Sequence, residues 1–282
     1  MSWRMAVLHT TRYRYDRPVS ASYNEARLTP LSTEHQTTID SGLHVDPTTR
    51  VTRYWDYWGT LVHAFDTHVP HDELVVTATS VVDTADEMST DGLVMSWDGL
   101  GDDAIKDRFY EYLAWTDSTR PDKALADAAA ELAASAPDPV AALSGVTDLI
   151  RAHLAYERGA TSVSTSAAEA FQHRRGVCQD FVHVALTLLR AMGIPARYVS
   201  GYLHPNPEAA VGEPVVGESH AWVEAWVGDW VAFDPTNTTP VGPRHVLVAR
   251  GRDYRDVTPL KGVYSGAPMS VPTVAVELTR LG

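Results

Sequence analysis

The chain has 282 residues, of which 44% are apolar and 21% charged, and its formal net charge is −13. This composition is typical of a soluble globular protein, and no uninterrupted apolar run of about 18 residues, as a membrane helix needs, is present. No membrane is therefore expected as a partner, and because an acidic chain is poorly suited to bind phosphate, neither is nucleic acid. The first residues lack the apolar run and cleavage site of a secretion signal, which predicts a cytoplasmic location.

Residues 1–82 form the first predicted unit, which is rich in β-structure. Short segments of β-branched and other apolar residues, such as residues 74–79, alternate with Pro and Gly. That spacing is typical of strands joined by turns. His63 and His68 lie here near acidic residues, but on one continuous strand they would point to opposite faces, so no metal site is expected.

Residues 83–120 are acidic and irregular, and we interpret them as a segment that connects two units. Helical signals follow. Pro121 is suited to the first turn of an Ala-rich helix that ends before Pro137, and a second helix is predicted from residue 138 to about residue 156. Residues 121–282 are therefore predicted to form a second, larger unit.

The only cysteine of the chain, Cys178, is predicted to begin a third helix. From Phe181 onwards, apolar residues recur at i, i+4, i+7, i+8 and i+11, and Gly193 ends the pattern. A single thiol forms no disulfide within the chain and no multi-thiolate zinc site, so it is either a small buried side chain or a nucleophile. Free N–H groups at a helix start, with two arginines just before it, favour a thiolate and suit the oxyanion of an attacked acyl group.

A thiol nucleophile is usually paired with an imidazole that protonates the leaving group, and a carboxylate orients the imidazole. The segment GESHAWVEAWVGDWVAFDPTN, residues 217–237, offers both. His220 begins one predicted strand, and Asp234 ends the next. Each is an ordinary residue alone, but together with Cys178, in this order, they indicate a catalytic triad.

Side-chain alternation along the strands tests this pairing. A two-residue loop would place the side chains of His220 and Asp234 on opposite faces of the hairpin. A three-residue loop over residues 227–229 pairs Trp226 with Trp230 and places them on the same face. We therefore predict the three-residue loop, or a bulge with the same effect.

The motifs GVCQDFVHVAL, SHAWVEAWV and FDPTN, in this order, resemble the core of the bacterial transglutaminase-like superfamily. The segment LHTTRYRYDRPVSASYNEARLTP resembles the β domain that precedes this core in a bacterial subfamily. The resemblance implies an α+β fold, with a papain-like transglutaminase core preceded by a small β-rich N-terminal domain. It also implies Cys178 as nucleophile, His220 as general base and acid, and Asp234 as the orienting carboxylate.

Two residues are candidates for the second oxyanion donor. Gln172 precedes Cys178 by six residues, the interval at which papain-like proteases place a glutamine for this task, although a solvated polar residue is an equal alternative. Tyr156, at the end of the preceding helix, is the other candidate because its phenol could reach the site. Trp222, two residues after His220, is a candidate wall of the substrate site.

The expected activity is attack on an amide or peptide bond of a peptide, protein or amide substrate, through a thioester. Water would make the enzyme a protease or amidase, whereas an amine acceptor would make it a protein-glutamine transglutaminase. We expect mainly hydrolysis, because nothing in the sequence indicates a tunnel that excludes water. A non-catalytic binding module with the same fold is the alternative from another class. No cofactor is expected, since the sequence has no phosphate loop or dinucleotide fingerprint.

Overall fold

The computed structural model describes residues 2–85, 92–237, 240–266, 268 and 272–282. The strands are β1 (Trp3–Val19), β2 (Ala21–Ala26), β3 (Gln36–Asp46), β4 (Val51–Trp55), β5 (Leu61–Thr67), β6 (His71–Thr84), β7 (Ala155–Tyr156), β8 (Arg175–Gly176), β9 (Ala196–Leu203), β10 (Pro214–Trp226), β11 (Trp230–Phe233), β12 (His245–Gly251), β13 (Leu260–Ser265) and β14 (Thr273–Arg280). The helices are α1 (Trp97–Leu100), α2 (Asp103–Arg108), α3 (Tyr110–Leu113), α4 (Lys123–Ser135), α5 (Pro139–His153), α6 (Ala167–His173) and α7 (Cys178–Ala191). The fold is mixed α and β with a β-rich N-terminal part, as predicted.

The N-terminal strands divide between two sheets. Trp3, Met5 and Val7 of β1 are buried and alternate with more exposed residues, which is the pattern of a strand with one face on a core. β1 and β3 both pair with β6 in the large sheet, whereas β2, β4 and β5 form a smaller sheet together with β13. His63 is buried on β5, and His68 is exposed and bonded to Asp66.

The two predicted helices before the cysteine begin at capping aspartates. Asp122 accepts a hydrogen bond from the Leu125 N–H at 2.9 Å, and Asp138 accepts one from the Ala141 N–H at 2.8 Å. Each carboxylate satisfies a backbone donor that the helix start leaves free. The predictions of two helices here are confirmed, but Pro121 lies before the cap of the first helix and not in its first turn, and the second helix ends at His153, three residues earlier than expected.

Helix α7 lies at the centre of the molecule. Its residues 179–190 are all buried, and it packs against α4, α5, α6, β9 and β10. A helix that is buried all round needs neighbours on every side. The neighbours of α7 form, with its own apolar residues, the largest apolar cluster of the described residues. The start of α7 is thereby held in a fixed position against the sheet. Among the described residues, no helix is long and apolar enough to cross a bilayer.

The large sheet runs in the order β12-β9-β10-β14-β1-β6-β3, with β11 paired to β10. β14 lies between β10 and β1, so that Leu278 pairs with Val215 while its neighbour Glu277 pairs with Leu8. The strands that carry the predicted site thus continue the sheet of the N-terminal strands. The division into residues 1–82, 83–120 and 121–282 stays a prediction, and residues 86–91 of the predicted connecting segment lie outside the described residues.

The hairpin of β10 and β11 has the predicted three-residue loop. Trp226 pairs with Trp230, Val223 pairs with Phe233, and the Val227 N–H donates to the Asp229 carbonyl at 3.0 Å. Gly228 has a φ of 103°, a conformation that favours glycine. The parity prediction is therefore confirmed, and residues 220 and 234 share a face.

Candidate active site

Cys178 is the first residue of α7, and the backbone just before it is unusually crowded. The carboxylate of Asp180 turns back and accepts a hydrogen bond from the Val177 N–H at 2.8 Å. A Cβ atom on Gly176 would lie 2.5 Å from that carboxylate, so only glycine fits there. The role of Gly176 is thus to let Asp180 close the helix start, which keeps the position of Cys178 fixed.

Tyr156 is brought beside the cysteine by the two short parallel strands β7 and β8. Tyr156 pairs with Gly176, and the neighbouring Ala155 and Glu157 N–H groups donate to the Arg174 and Gly176 carbonyls, each at 2.9 Å. The Tyr156 side chain is 47% exposed. Partial burial and the nearby Cys178 raise its pKa, so the phenol keeps its proton and can donate a hydrogen bond.

His220 and Asp234 meet directly. His220 Nε2 lies 2.6 Å from Asp234 Oδ2. The other carboxylate oxygen, Oδ1, accepts hydrogen bonds from the Thr236 N–H at 2.8 Å and the Asn237 N–H at 3.1 Å. The Asn237 amide donates to Oδ2 at 2.8 Å. Asp234 is held by the turn that follows β11, which fixes the direction in which it faces the imidazole.

The charges in this cluster favour the protonated imidazole. Burial disfavours the charged form of His220, but its hydrogen bonds with Asp234 and Cys178 outweigh burial and raise its pKa to about 10. Burial likewise disfavours the Asp234 carboxylate, but the donors around it, with His220 first, hold its pKa well below its usual range. Because Nε2 is bonded to Asp234, Nδ1 is the nitrogen left for the Cys178 sulfur. The arrangement can hold a proton on His220 next to the sulfur.

The cysteine and histidine open onto a cleft of about 510 Å³. Besides Cys178 and His220, the cleft is lined by Tyr156, Arg158, Glu218 and Asn237, among other residues. The side chains of Arg158 and Glu218 are both exposed, and they form an ion pair at 2.5 Å at the rim of the cleft. The cleft gives a substrate direct access to the sulfur.

Two of the predicted candidates lie elsewhere. Gln172 is exposed on α6, and it is not among the described residues that line the cleft. Trp222 is only 2% exposed and packs in a small apolar cluster with Leu31 and Val199. Its ring lies behind that of His220, 6.2 Å away between centroids, so it supports the imidazole from the protein interior instead of forming a wall of the cleft.

Sequence reasoning missed two residues that contact Asp234. Asn237 follows it by three residues in the FDPTN motif, and its place in a turn after an aspartate was a usable signal. His245 begins β12, and its Nε2 lies 3.7 Å from Asp234 Oδ2. Nothing local in the sequence links it to the site. The donor atoms of His220, Asp234 and His245 lie within 4.8 Å of one another, a spacing that could suit a metal, but the hydrogen bond between His220 and Asp234 already accounts for their proximity.

Family comparison agrees with the geometry. The family model of the transglutaminase-like superfamily core matches residues 126–235, and that of the bacterial transglutaminase-like N-terminal region matches residues 5–83. The chain belongs to the transglutaminase-like superfamily. The core match includes Cys178, His220 and Asp234 and ends one residue after the last of them.

Relatives of this transglutaminase-like chain extend over its whole length. An uncharacterized protein of Mycobacterium leprae is 47% identical over 279 residues, 99% of each chain. The crystal structure of a proposed cysteine protease from Cytophaga hutchinsonii has the same fold, with a TM-score of 0.78 and 24% identity over 100% of this chain and 92% of the other. A protein-glutamine gamma-glutamyltransferase of Pseudomonas aeruginosa is 39% identical over 70 residues, 23% of this transglutaminase-like chain and 10% of that protein.

Proposed function

We propose that this chain is a cysteine-nucleophile enzyme that cleaves amide or peptide bonds of peptide, protein or small amide substrates and resolves the thioester mainly with water. The observation that carries the proposal is the hydrogen bond between His220 and Asp234 at 2.6 Å, with Cys178 and His220 together on the wall of an open cleft. These residues supply a nucleophile, a proton donor and an orienting carboxylate, the three groups that acyl transfer needs.

In the first half of the reaction, the Cys178 sulfur forms a bond to the carbonyl carbon, and the carbonyl electrons move to oxygen. The Cys178 backbone N–H at the start of α7 binds that oxyanion. The C–N bond then breaks, the proton of His220 passes to the departing nitrogen, and a thioester remains on the enzyme.

In the second half, water attacks the thioester. His220, now neutral, takes a proton from the water as its oxygen bonds to the acyl carbon. The C–S bond then breaks, the carboxylic acid leaves, and the sulfur is again a thiolate beside a protonated imidazole. Asp234 makes no bond to the substrate, and its charge stabilises the imidazolium in both halves.

The placement of Tyr156 supports it as the second oxyanion donor. Its phenol keeps its proton and lies in the cleft with Cys178, whereas Gln172 lies outside the cleft. Tyr156→Phe removes only the hydroxyl and should lower kcat by about ten-fold or more, with Gln172→Ala as the matched control that leaves it unchanged. Equal kcat values in Tyr156→Phe and the parent enzyme would remove Tyr156 from this role.

The openness of the cleft supports hydrolysis, because Tyr156, Arg158 and Glu218 are exposed and Cys178 is itself partly exposed. Transfer to an amine is the second candidate function. It is favoured by the local match to a protein-glutamine gamma-glutamyltransferase, because the name of that protein describes the transfer of an acyl group.

Mass spectrometry of peptide and amide libraries incubated with the enzyme in H₂¹⁸O, with and without a primary amine, separates the candidates. Hydrolysis places ¹⁸O in a new carboxyl group, whereas transfer adds the mass of the amine. Cys178→Ala serves as the control for both. No product of either kind, together with slow alkylation of Cys178 by iodoacetamide near neutral pH, would leave the binding module as the function.

A further inference from the structure

His245 provides a second imidazole next to the carboxylate of the triad. Its side chain is 2% exposed, and its Nε2 lies 3.7 Å from Asp234 Oδ2. The residue comes after the segment that matches the superfamily core, which ends at residue 235. It reaches the site from β12, which is separated from β10 in the sheet by β9.

The orientation of this ring is fixed by its other nitrogen. The Gly242 N–H donates to His245 Nδ1 at 3.2 Å, so Nδ1 is an acceptor and the ring proton of the neutral form is on Nε2. Nε2 is buried and has no hydrogen-bond partner among the described residues, and it points toward Asp234. Trp222 packs edge-on against the ring at 5.2 Å between centroids and restricts its rotation.

Among the described residues, the following charged or titratable groups act on this ring. They are Asp234, His220, whose ring centroid is 6.1 Å away, and Arg244, the preceding residue. Burial, with the positive charges of His220 and Arg244, lowers the pKa of His245, while Asp234 opposes this. The ring is therefore neutral beside a charged pair, which leaves it an N–H to offer and no proton to compete with His220.

We propose that His245 is a positioning residue of the triad, whose Nε2–H holds Oδ2 of Asp234 ionised and directed at His220. The inference rests on the proposed function of the Cys178 site. Oδ2 already accepts hydrogen bonds from His220 and Asn237. The His245 N–H lies 3.7 Å away, too far for a hydrogen bond, but its partial positive charge in a buried site still favours negative charge on this oxygen while the proton stays on the imidazole. His245 does not touch the substrate and acts only through Asp234.

Two substitutions separate the two nitrogens of this ring. In His245→Asn the side-chain oxygen reaches about the place of Nδ1, so the acceptor for Gly242 stays and the donor toward Asp234 is lost. In His245→Gln the amide nitrogen reaches about the place of Nε2, so the donor stays and the acceptor for Gly242 is lost. The measurements are the rate of Cys178 alkylation by iodoacetamide as a function of pH, kcat and KM, and the melting temperature.

His245→Asn should lower the alkylation rate near neutral pH and kcat by about three- to ten-fold, with KM unchanged. The acid limb of the alkylation profile, which is the fall of the rate as the pH is lowered, should begin at a higher pH in this variant. A carboxylate with fewer donors has a higher pKa, so Asp234 is protonated earlier and stops supporting the imidazolium beside the thiolate. His245→Gln should keep the parent rate and acid limb and melt at a lower temperature. His9→Asn is the matched control, since His9 is also a buried neutral ring but contacts Thr11 and Tyr202 and should leave the acid limb unchanged.

A parent-like acid limb in His245→Asn, or rates in the two variants that simply follow their melting temperatures, would overturn the proposal. Alkylation needs no substrate, so it tests the role of His245 even if no amide is cleaved. Absence of turnover in the parent enzyme, with the predicted order of alkylation rates, would contradict the proposed function alone.

Discussion

Strand β10 carries His220 and Glu224 on the same face, and each belongs to a network of charged side chains. The first network consists of His220, Asp234 and His245, and the second of Glu224, Arg197 and Arg250. The carboxylate of the first network, Asp234, is fully buried and lies against the imidazoles of His220 and His245. The carboxylate of the second, Glu224, has a side chain 5% exposed and lies between two guanidinium groups. Two carboxylates of similar burial thus differ in the kind of base that surrounds them.

The second network is built to stay charged. Arg197 bonds Glu224 at 2.5 Å, and Arg250 bonds it through two nitrogens at 2.8 and 2.9 Å. Arg197 also lies over the Trp230 ring at 3.8 Å from its centroid. A guanidinium keeps its proton at any working pH, so this network holds strands together and moves no proton.

The first network has an imidazole where the second has arginine, and that imidazole faces a thiol in an open cleft. An imidazole can release and regain its proton, which a guanidinium does not do. The comparison teaches that burial of a carboxylate does not by itself mark a catalytic site. The identity of the paired base and its access to the cleft separate the two networks.

The largest expected effect comes from removing the sulfur of the first network. Cys178→Ala should abolish turnover, because no other thiol is available in the chain. The melting temperature should be almost unchanged, since the small side chain lies at a helix start and is partly exposed. Steady-state kinetics and thermal unfolding check both. Substantial activity in this variant would contradict the covalent mechanism.

The second network should respond in the opposite way. Glu224→Gln leaves two partly buried guanidinium groups without a compensating charge and should lower the free energy of unfolding by about 3 kcal/mol. The alkylation rate of Cys178 should stay at the parent value at temperatures where the variant is folded. Urea unfolding and iodoacetamide labelling measure the two quantities. A large change in alkylation with little loss of stability would show that the two networks are coupled.

A smaller effect is expected at the carboxylate of the first network. Asp234→Asn keeps the shape and removes the charge, so the imidazolium loses its support, and kcat should fall by roughly ten-fold or more with KM little changed. Asp229→Asn is a matched control, because Asp229 lies in the loop of the same hairpin and its carboxylate accepts a hydrogen bond from the N–H of its neighbour Trp230, away from His220. Parent-like kcat in Asp234→Asn would mean that Asp234 only begins a turn, a task asparagine performs equally well.

The pH dependence of stability provides the last test of the first network. The folded protein raises the pKa of His220 from 6.5 to about 10 and so binds this proton more tightly than the unfolded chain. The resulting stabilisation is fully present below pH 6.5 and is lost as the pH rises to about 10. Urea unfolding across this range should show a steeper loss in the parent enzyme than in Asp234→Asn. Parallel curves would show that Asp234 does not stabilise the protonated imidazole.

The parts of the site that the sequence predicted are those set by local periodicity. The apolar stripe of α7 and the alternation of β10 and β11 gave the start of the helix and the shared face of His220 and Asp234. The sequence left Gln172 open between an oxyanion donor and a solvated polar residue, because a spacing of six residues says nothing about the path of the chain from Gln172 to Cys178. The chain there ends a helix and turns through Arg174, whose φ is 54°, so Gln172 stays at the surface.

The remaining features depend on contacts between distant segments. His245 reaches Asp234 only because β12 pairs with β9, and neither strand carries a local signal for its partner. Trp222 follows His220 by two residues, but whether that face meets solvent or core depends on Leu31 and Leu247, which cover it from other parts of the chain. The fold class was predictable, whereas these pairings were not.

The position of β14 has a consequence for the order in which the protein assembles on the ribosome. This strand joins β10 to β1 and pairs residues as distant as Met5 and Arg280. The large sheet therefore cannot close until nearly all of these residues have left the exit tunnel, and contacts of such long sequence separation form late. We expect the strands of the active site and the N-terminal strands to be joined into one sheet only at that point.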